Sequence, residues 1–485
     1  MNSQSNIFDY LYPTFKINKP IRLITLFSGY DSQALALKYL GVDFELYKTC
    51  EWATKSIQAL KDLHFENDNT DYSRELTIEE VKSFLFKKGI SANYNDPMTE
   101  QQINRLNENQ ARTIYNNIKA TRNLVNIQQV KGDDLCIKDT DKFTYLLTYS
   151  FPCQDLSLAG KGKGMSDTTT RSGMLWEVER ILTECKEKPQ ILLMENVPQV
   201  HGEGNKEDFN KWQLRLEELG YKNYWQDLIA TDYGIPQTRN RCFMVSILGD
   251  YNYKFPKPVP LKLKLKDMLE DNVAEKYYLS EKMLQYILSK DDKYKVNENN
   301  LTINREVACT KTTREGNTRA DTTDYICGDL PENYNIKNGC KQVYDLNYYN
   351  HEQSNRVYSV NYSSPTLRTK CDEAGTIKII NATSKGYLEA EEGDGIDISS
   401  RQNYHRGTVQ KGKTQTLSTM GGENNGVVNN MRIRKLTPKE CFRLMGVKDE
   451  DYKKIAKNQS DSSLYHLAGD SIVVNVLMAI FKELI

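Results

Sequence analysis

The sequence predicts an α/β fold built on an open parallel sheet, with a smaller β-rich domain following it. Three observations predict it. Short apolar runs alternate with helical segments through the first half of the chain. Chemistry-capable polar residues follow the C-terminal ends of those runs, the edge at which open α/β sheets bind ligands. The texture then changes at the proline-rich stretch Phe255-Pro256-Lys257-Pro258-Val259-Pro260.

Ile21–Phe27 is an apolar strand run that stops at Ser28-Gly29. A helix follows over Ser32–Leu40, and Gly41 ends it. Phe44–Cys50 is the next strand and leads into Glu51-Trp52. Residues 61–130 are polar, Asn-rich and helix-leaning, and read as an insertion. Tyr145–Tyr149 runs directly into Phe151-Pro152-Cys153-Gln154, Ile191–Met194 into Glu195-Asn196, and Arg241–Leu248 reads as a late strand of the same sheet. These elements define a first domain, 1–259. Residues 260–430 are rich in Asn, Thr, Gly and charge and form a second domain of short β pieces. Two of them echo each other, Ser364-Pro-Thr-Leu-Arg-Thr369 and Lys413-Thr-Gln-Thr-Leu-Ser-Thr419. Residues 431–485 return to apolar helical periodicity from Leu436 onward.

Composition removes several classes. The ten cysteines include no C-x-x-C pair, which argues against a disulfide framework or a structural zinc site, and no metal is expected. No apolar run approaches the roughly eighteen residues of a membrane span. Met1–Pro20 has no apolar core of a secretory signal, so a cytoplasmic setting is expected. The formal net charge of +0 means that binding to a polyanion would need a locally basic cleft.

Cys153 follows a proline at a strand end, with Lys161, Lys163 and Arg171 in the loop beyond it. A nucleophilic cysteine needs such an electropositive, accessible setting, although most cysteines are buried and inert. Glu195 borders an apolar strand, which raises a carboxyl's pKa and suits it to protonating a ring nitrogen; a salt-bridged strand-end glutamate fits equally. Gln237-Thr-Arg239-Asn-Arg241 sets two guanidiniums on one face of an extended segment, as a carboxylate or phosphate clamp or as a solvated edge. Glu51-Trp52 pairs a carboxylate suited to ribose hydroxyls with a ring suited to stacking on adenine. Asp133 in Gly132-Asp133-Asp134 could accept from an adenine amino group, or simply make a turn.

In this order, these segments resemble the motif series of the cytosine-5 DNA methyltransferase family. Phe27-Ser28-Gly29, Glu51-Trp52 and Asp133 resemble its cofactor motifs. Phe151-Pro-Cys-Gln-Asp-Leu-Ser157 resembles its catalytic loop, Glu195-Asn-Val197 its glutamate motif, and Gln237-x-Arg239-x-Arg241 its paired-arginine motif. Arg434 to Gly446 and Gly469-Asp470-Ser471 to Val476 resemble its C-terminal motifs. The catalytic half is closest to the mollicute CpG-type enzymes. The first loop departs from the family pattern at Asp31, where a carboxylate stands in place of glycine backbone that approaches the cofactor.

The resemblance implies an S-adenosylmethionine-dependent, Rossmann-like methyltransferase sheet with a target-recognition domain over 260–430. It implies that Cys153 adds to C6 of a flipped-out cytosine while Glu195 holds the ring nitrogen and C5 takes the sulfonium methyl. Arg241 would orient the base, and Arg239 would support Glu195 or the cysteine loop. Cofactor contacts would come from Phe27, Ser28, Gly29, Glu51, Trp52, Asp133, Asp134, Pro152, Asp470, Ser471 and Ile472. DNA contacts would come from Gln154, Ser157, Lys163, Arg171 and Gln237 in the first domain, and from Arg356, Thr366, Arg368, Thr416 and Leu417 in the second. The glycine-containing loop 154–172 would close over the DNA. The expected partner is double-stranded DNA, bound by a monomer with no obligate protein partner, encoded by a bacterium or a phage. Two rivals stay open at this point: an RNA cytosine-5 methyltransferase, and a catalytically silent DNA-binding regulator.

Overall fold

Six strands carry the fold: β1 (Ile21–Leu26), β2 (Phe44–Cys50), β3 (Thr144–Tyr149), β4 (Ile191–Asn196), β5 (Tyr221–Ile229) and β6 (Asn240–Leu248). In a computed structural model they form one sheet in the order β2-β1-β3-β4-β6-β5. The structure describes residues 12–152, 172–277 and 436–485, and only short strands between the last two segments. Strands β3 and β4 are buried along their whole length, which is why they read as continuous apolar runs. Leu147, Tyr149, Leu192, Met194 and the indole of Trp212 form the core around them.

The sheet is not wholly parallel. β1 pairs in parallel with β2 and β3, and β3 with β4, but β6 runs antiparallel to both β4 and β5. Chain length explains the reversal. Only residues 230–239 separate β5 from β6, and a parallel return takes a dozen residues or more. β5 itself went unread in the sequence because it is an edge strand whose Lys222, Asn223, Gln226 and Asp227 hide its period.

Helices α1 (Ser32–Leu40), α2 (Thr54–His64), α3 (Ile78–Lys88), α4 (Glu100–Asn104), α5 (Glu108–Ala120), α6 (Leu175–Glu184) and α7 (Lys206–Glu218) follow the chain between the strands. The insertion is helical, as expected. Capping boxes at Thr77, Thr99 and Asn107 start α3, α4 and α5. Ile57 of α2 joins Val81, Leu85, Ile103, Tyr115 and Ile118 in a small core of the insertion's own. The chain returns to the sheet at Asn123, which bridges Thr49 of β2 in parallel.

Four C-terminal helices, α8 (Pro438–Arg443), α9 (Asp449–Ala456), α10 (Asp461–Asp470) and α11 (Val474–Leu484), come back to the first domain. The buried Asp451 carboxylate takes Lys38 Nζ at 2.7 Å and Tyr39 Oη at 2.8 Å from α1. The stretch Asp461–Leu484 is long and apolar enough to cross a membrane, but it is two helices, and most of it is packed inside the fold.

The chain divides into two compact units. One holds residues up to 270 and from 437 onward; most of the residues between form the other. The second unit contains short antiparallel strand pairs. Ile377–Ile380 pairs with Tyr387–Ala390, Gly395–Asp397 lies between Val409–Gln410 and Asn425–Val427, and Arg432–Lys435 pairs with Tyr325–Gly328, all antiparallel.

Candidate active site

The loop after β1 sets the first part of the site. Phe27, Gly29 and Asp31 all have positive φ, so the chain makes a tight turn before α1 begins. Asp31 was expected to present its carboxylate where backbone approaches a cofactor. Instead the side chain turns inward. It caps α1, accepting from Ala34 N at 3.0 Å and from Thr25 Oγ1 at 2.7 Å, and is fully buried. Burial pushes its pKa up to about 7, against the pull of the Thr25 and Ala34 hydrogen bonds. Gly29 has open space where a side chain would stand, leaving its backbone accessible.

Glu51, at the end of β2, ties this loop to the next. Its carboxylate accepts from Gly29 N at 2.9 Å and Ala53 N at 2.8 Å. Burial nonetheless pushes Glu51 up to about 7, and Asp470 adds to that push. Asn123 closes the other side. Its Oδ1 accepts from Glu51 N at 3.0 Å and Val125 N at 2.9 Å, and its Nδ2 donates to Glu51 O at 3.0 Å. Trp52 packs against the insertion's core, and Phe27 against the main one.

Asp133 and Asp134 are not brought here. Gly132 is wedged against the end of α6, where an added Cβ would meet Cys185 N at 2.6 Å, and its N–H donates to Glu184 Oε2 at 2.9 Å. Asp134 accepts from Lys131 N at 2.8 Å, and the exposed Asp133 lies 3.8 Å from Lys186. Their Gly-Asp-Asp is a turn packed at the end of the helix that precedes β4. Asn123 lies beside Glu51 instead; it carries no motif signal and was missed in the sequence.

The second part of the site lies at the ends of β3, β4 and β6. Glu195 is almost wholly buried, with Arg241 Nε 3.2 Å from its Oε1. Burial raises the Glu195 pKa; Arg241 and then Arg239 pull it back, and Asp470 pushes it further up. Asn196 Nδ2 donates to Phe151 O at 3.0 Å, fixing the backbone that leads into Pro152. Arg239 is buried, and its Nη2 donates to the carbonyls of Gly469 at 3.1 Å and Ser471 at 2.8 Å. It therefore anchors the C-terminal motif directly and reaches Glu195 through its charge.

The same C-terminal segment also meets the first loop, where Ile472 N donates to Ser32 Oγ at 3.4 Å. Asp470, Ser471 and Ile472 thus lie with Glu51 and Glu195 on one sheet edge. Gln237, expected to face DNA, is fully buried, and its amide donates to Leu444 O at 2.6 Å; its side chain is part of the packing. Cys153, Gln154, Ser157, Lys163 and Arg171 lie outside the described residues, as do Thr366, Arg368, Thr416 and Leu417. Arg356 opens a short strand, Arg356–Tyr358.

A profile described as C-5 cytosine-specific DNA methylase matches residues 84–485. The chain belongs to this family. It is an S-adenosylmethionine-dependent DNA cytosine-5 methyltransferase. The methyltransferase is 30% identical over 468 residues to the type II methyltransferase M2.ScrFI of Lactococcus lactis subsp. cremoris, covering 96% of this chain and 99% of that protein. It is 36% identical over 285 residues to the orphan methyltransferase M.SssI of Spiroplasma monobiae, covering 58% of this chain and 72% of that one. Among solved structures, the S. pombe Dnmt2 methyltransferase aligns with a TM-score of 0.51 and 14% identity over 96% of this chain and 98% of that one. At that identity the likeness is one of fold. The acidic edge formed by Glu51 and Asp470 suits a cofactor that carries a sulfonium and an ammonium group.

Proposed function

We propose that this methyltransferase modifies cytosine within a specific duplex DNA sequence, using Cys153, Glu195 and Arg241 on the base and the edge around Glu51 for S-adenosylmethionine. The observation that carries this reading is the buried Glu195–Arg241 pair at the end of β4. Asn196 ties it to Phe151, two residues before Cys153.

Burial raises the Glu195 pKa above the ordinary carboxylate value, the direction that suits a carboxyl acting as a proton donor. It would share that proton with N3 of the ring while Cys153 adds to C6, leaving C5 electron-rich. Arg241 would keep Glu195 aimed and hold the base edge. When bound, the cofactor supplies the activated methyl group. The thiolate would leave as the C5 proton is removed, so one difficult substitution becomes two easier steps.

Gln154, Ser157, Lys163 and Arg171 are proposed for the strand around the flipped base. Residues 260–430, with Arg356, Thr366, Arg368, Thr416 and Leu417, are proposed as the sequence reader. We place the monomer in the cytoplasm of a bacterium or a phage-infected cell, as the methylase of a restriction-modification pair or as an orphan. Bisulfite sequencing of DNA from cells expressing the chain tests the reading. It should show methylcytosine confined to one short motif, lost in Cys153→Ser. Methylation spread without regard to sequence, or label transferred only to RNA in vitro, would overturn it.

A further inference from the structure

Ser91, at the start of the turn 91–98, pairs directly beside Trp52. Ser91 N donates to Trp52 O at 2.8 Å, and Thr54 N to Ser91 O at 2.9 Å. Asn93 then folds the chain tightly. Its Oδ1 accepts from Asn95 N at 2.9 Å and Asp96 N at 3.0 Å, while Ser91 Oγ donates to Asp96 O at 2.7 Å.

Tyr94 sits in this turn at φ 64°. A glycine would adopt that conformation without penalty, but a bulky residue does not. Such strain persists where the surroundings impose it, and it concentrates at ligand sites. Here the surroundings are visible. The Tyr94 ring lies against His466 of α10, with centroids 3.7 Å apart and planes at 42°. His466 Nε2 is 2.9 Å from Asp470 Oδ2. The Tyr94 hydroxyl is buried toward Ser56 and Ser463. Burial first, and then the nearby Glu51 and Asp470 carboxylates, push its pKa up to about 12.

We propose that Tyr94, carried in by the insertion, forms a wall of the S-adenosylmethionine site and positions Asp470 through His466. The insertion is then a working part of the cofactor pocket rather than an appended module. The proposal rests on the reading that the cofactor lies at the Glu51–Asp470 edge.

Calorimetric titration of the full-length protein with S-adenosylmethionine tests it. Tyr94→Ala should weaken binding by about three- to tenfold, the worth of an aromatic pair. Tyr94→Phe, which keeps the ring, should bind within about twofold of wild type. The KM for the cofactor should rise with Tyr94→Ala while kcat at saturation and DNA affinity hold. His466→Ala leaves the turn intact and reads the same link should Tyr94→Ala fail to fold; in a folded double variant the two losses should not add.

Unchanged cofactor affinity in both Tyr94→Ala and His466→Ala would overturn the proposal, as would an equal loss in Tyr94→Phe. Glu51→Gln separates the two levels of inference. If it binds the cofactor as tightly as wild type, the placement of the pocket is wrong. If it binds more weakly while the Tyr94 and His466 variants do not, the pocket stands and only the role of Tyr94 falls.

Discussion

The two halves of the sheet edge hold their charged groups in different ways. On the β1–β2 side, Asp31 and Glu51 accept from backbone amides: Ala34 N for Asp31, and Gly29 N of the β1 loop and Ala53 N for Glu51. On the β4–β6 side, Glu195 faces a guanidinium, and Arg239 reaches carbonyls more than two hundred residues further along the chain. The first half is a cradle of backbone amides, closed by Asn123. The second is assembled from distant segments and leaves a carboxylate whose proton affinity two arginines can tune. On the proposed reading, the first side would hold the cationic cofactor and the second would move the proton.

The largest effect should come from the tunable side. Glu195→Gln keeps the shape and removes the proton exchange, so kcat for methyl transfer should fall by about 10²–10⁴-fold. Cofactor affinity, measured by calorimetry, should hold. A loss confined to cofactor binding would erase the distinction between the halves.

Asn123→Ala should strike the cradle. It removes three hydrogen bonds around Glu51 and Val125. Leaving buried partners unpaired should lower unfolding stability by roughly 1–3 kcal/mol and weaken the cofactor. Urea unfolding and calorimetry check both; an unaltered protein would show that Asn123 is a bystander.

Asp31 gives a pH signature. Its folded pKa of about 7 lies above the ordinary 3.8, so the folded state holds the proton more tightly than the unfolded chain. This group's contribution is full below the ordinary value and is lost as pH rises through about 7. Asp31→Asn removes that loss. Its urea midpoint relative to wild type should therefore improve between about pH 5 and about pH 8. A pH-independent difference would contradict a buried, proton-holding Asp31. The smallest effect belongs to Asp133→Asn. This exposed side chain, 3.8 Å from Lys186, should change stability by no more than about 0.5 kcal/mol and leave cofactor titrations unaltered.

The same contrast explains what could be read in advance. The β1 loop, Glu51 and the Glu195 strand end are short-range features, and a strand followed by the right polar residue announces them. Arg239 was visible as a residue type, but its partners, the carbonyls of Gly469 and Ser471, were not. Gln237 looked like a surface residue of an extended segment, yet the C-terminal helices bury it. Asn123 and Tyr94 were hidden for a related reason. Both lie in the polar, helical stretch between β2 and β3, which meets the sheet edge through Asn123, and no local pattern records that meeting. The reversal of β6 follows from loop length, which was countable only once β5 was recognised as a strand.

The proposed reaction depends most directly on covalent chemistry at Cys153 supported by Glu195. The direct measurement is incubation with S-adenosylmethionine and duplex DNA carrying 5-fluorocytosine at the methylated position, read on a denaturing gel. Wild type should form a stable covalent protein–DNA adduct, and Cys153→Ser should form none. An adduct that survives Cys153→Ser, or no adduct from an enzyme that methylates the unfluorinated duplex, would contradict the account.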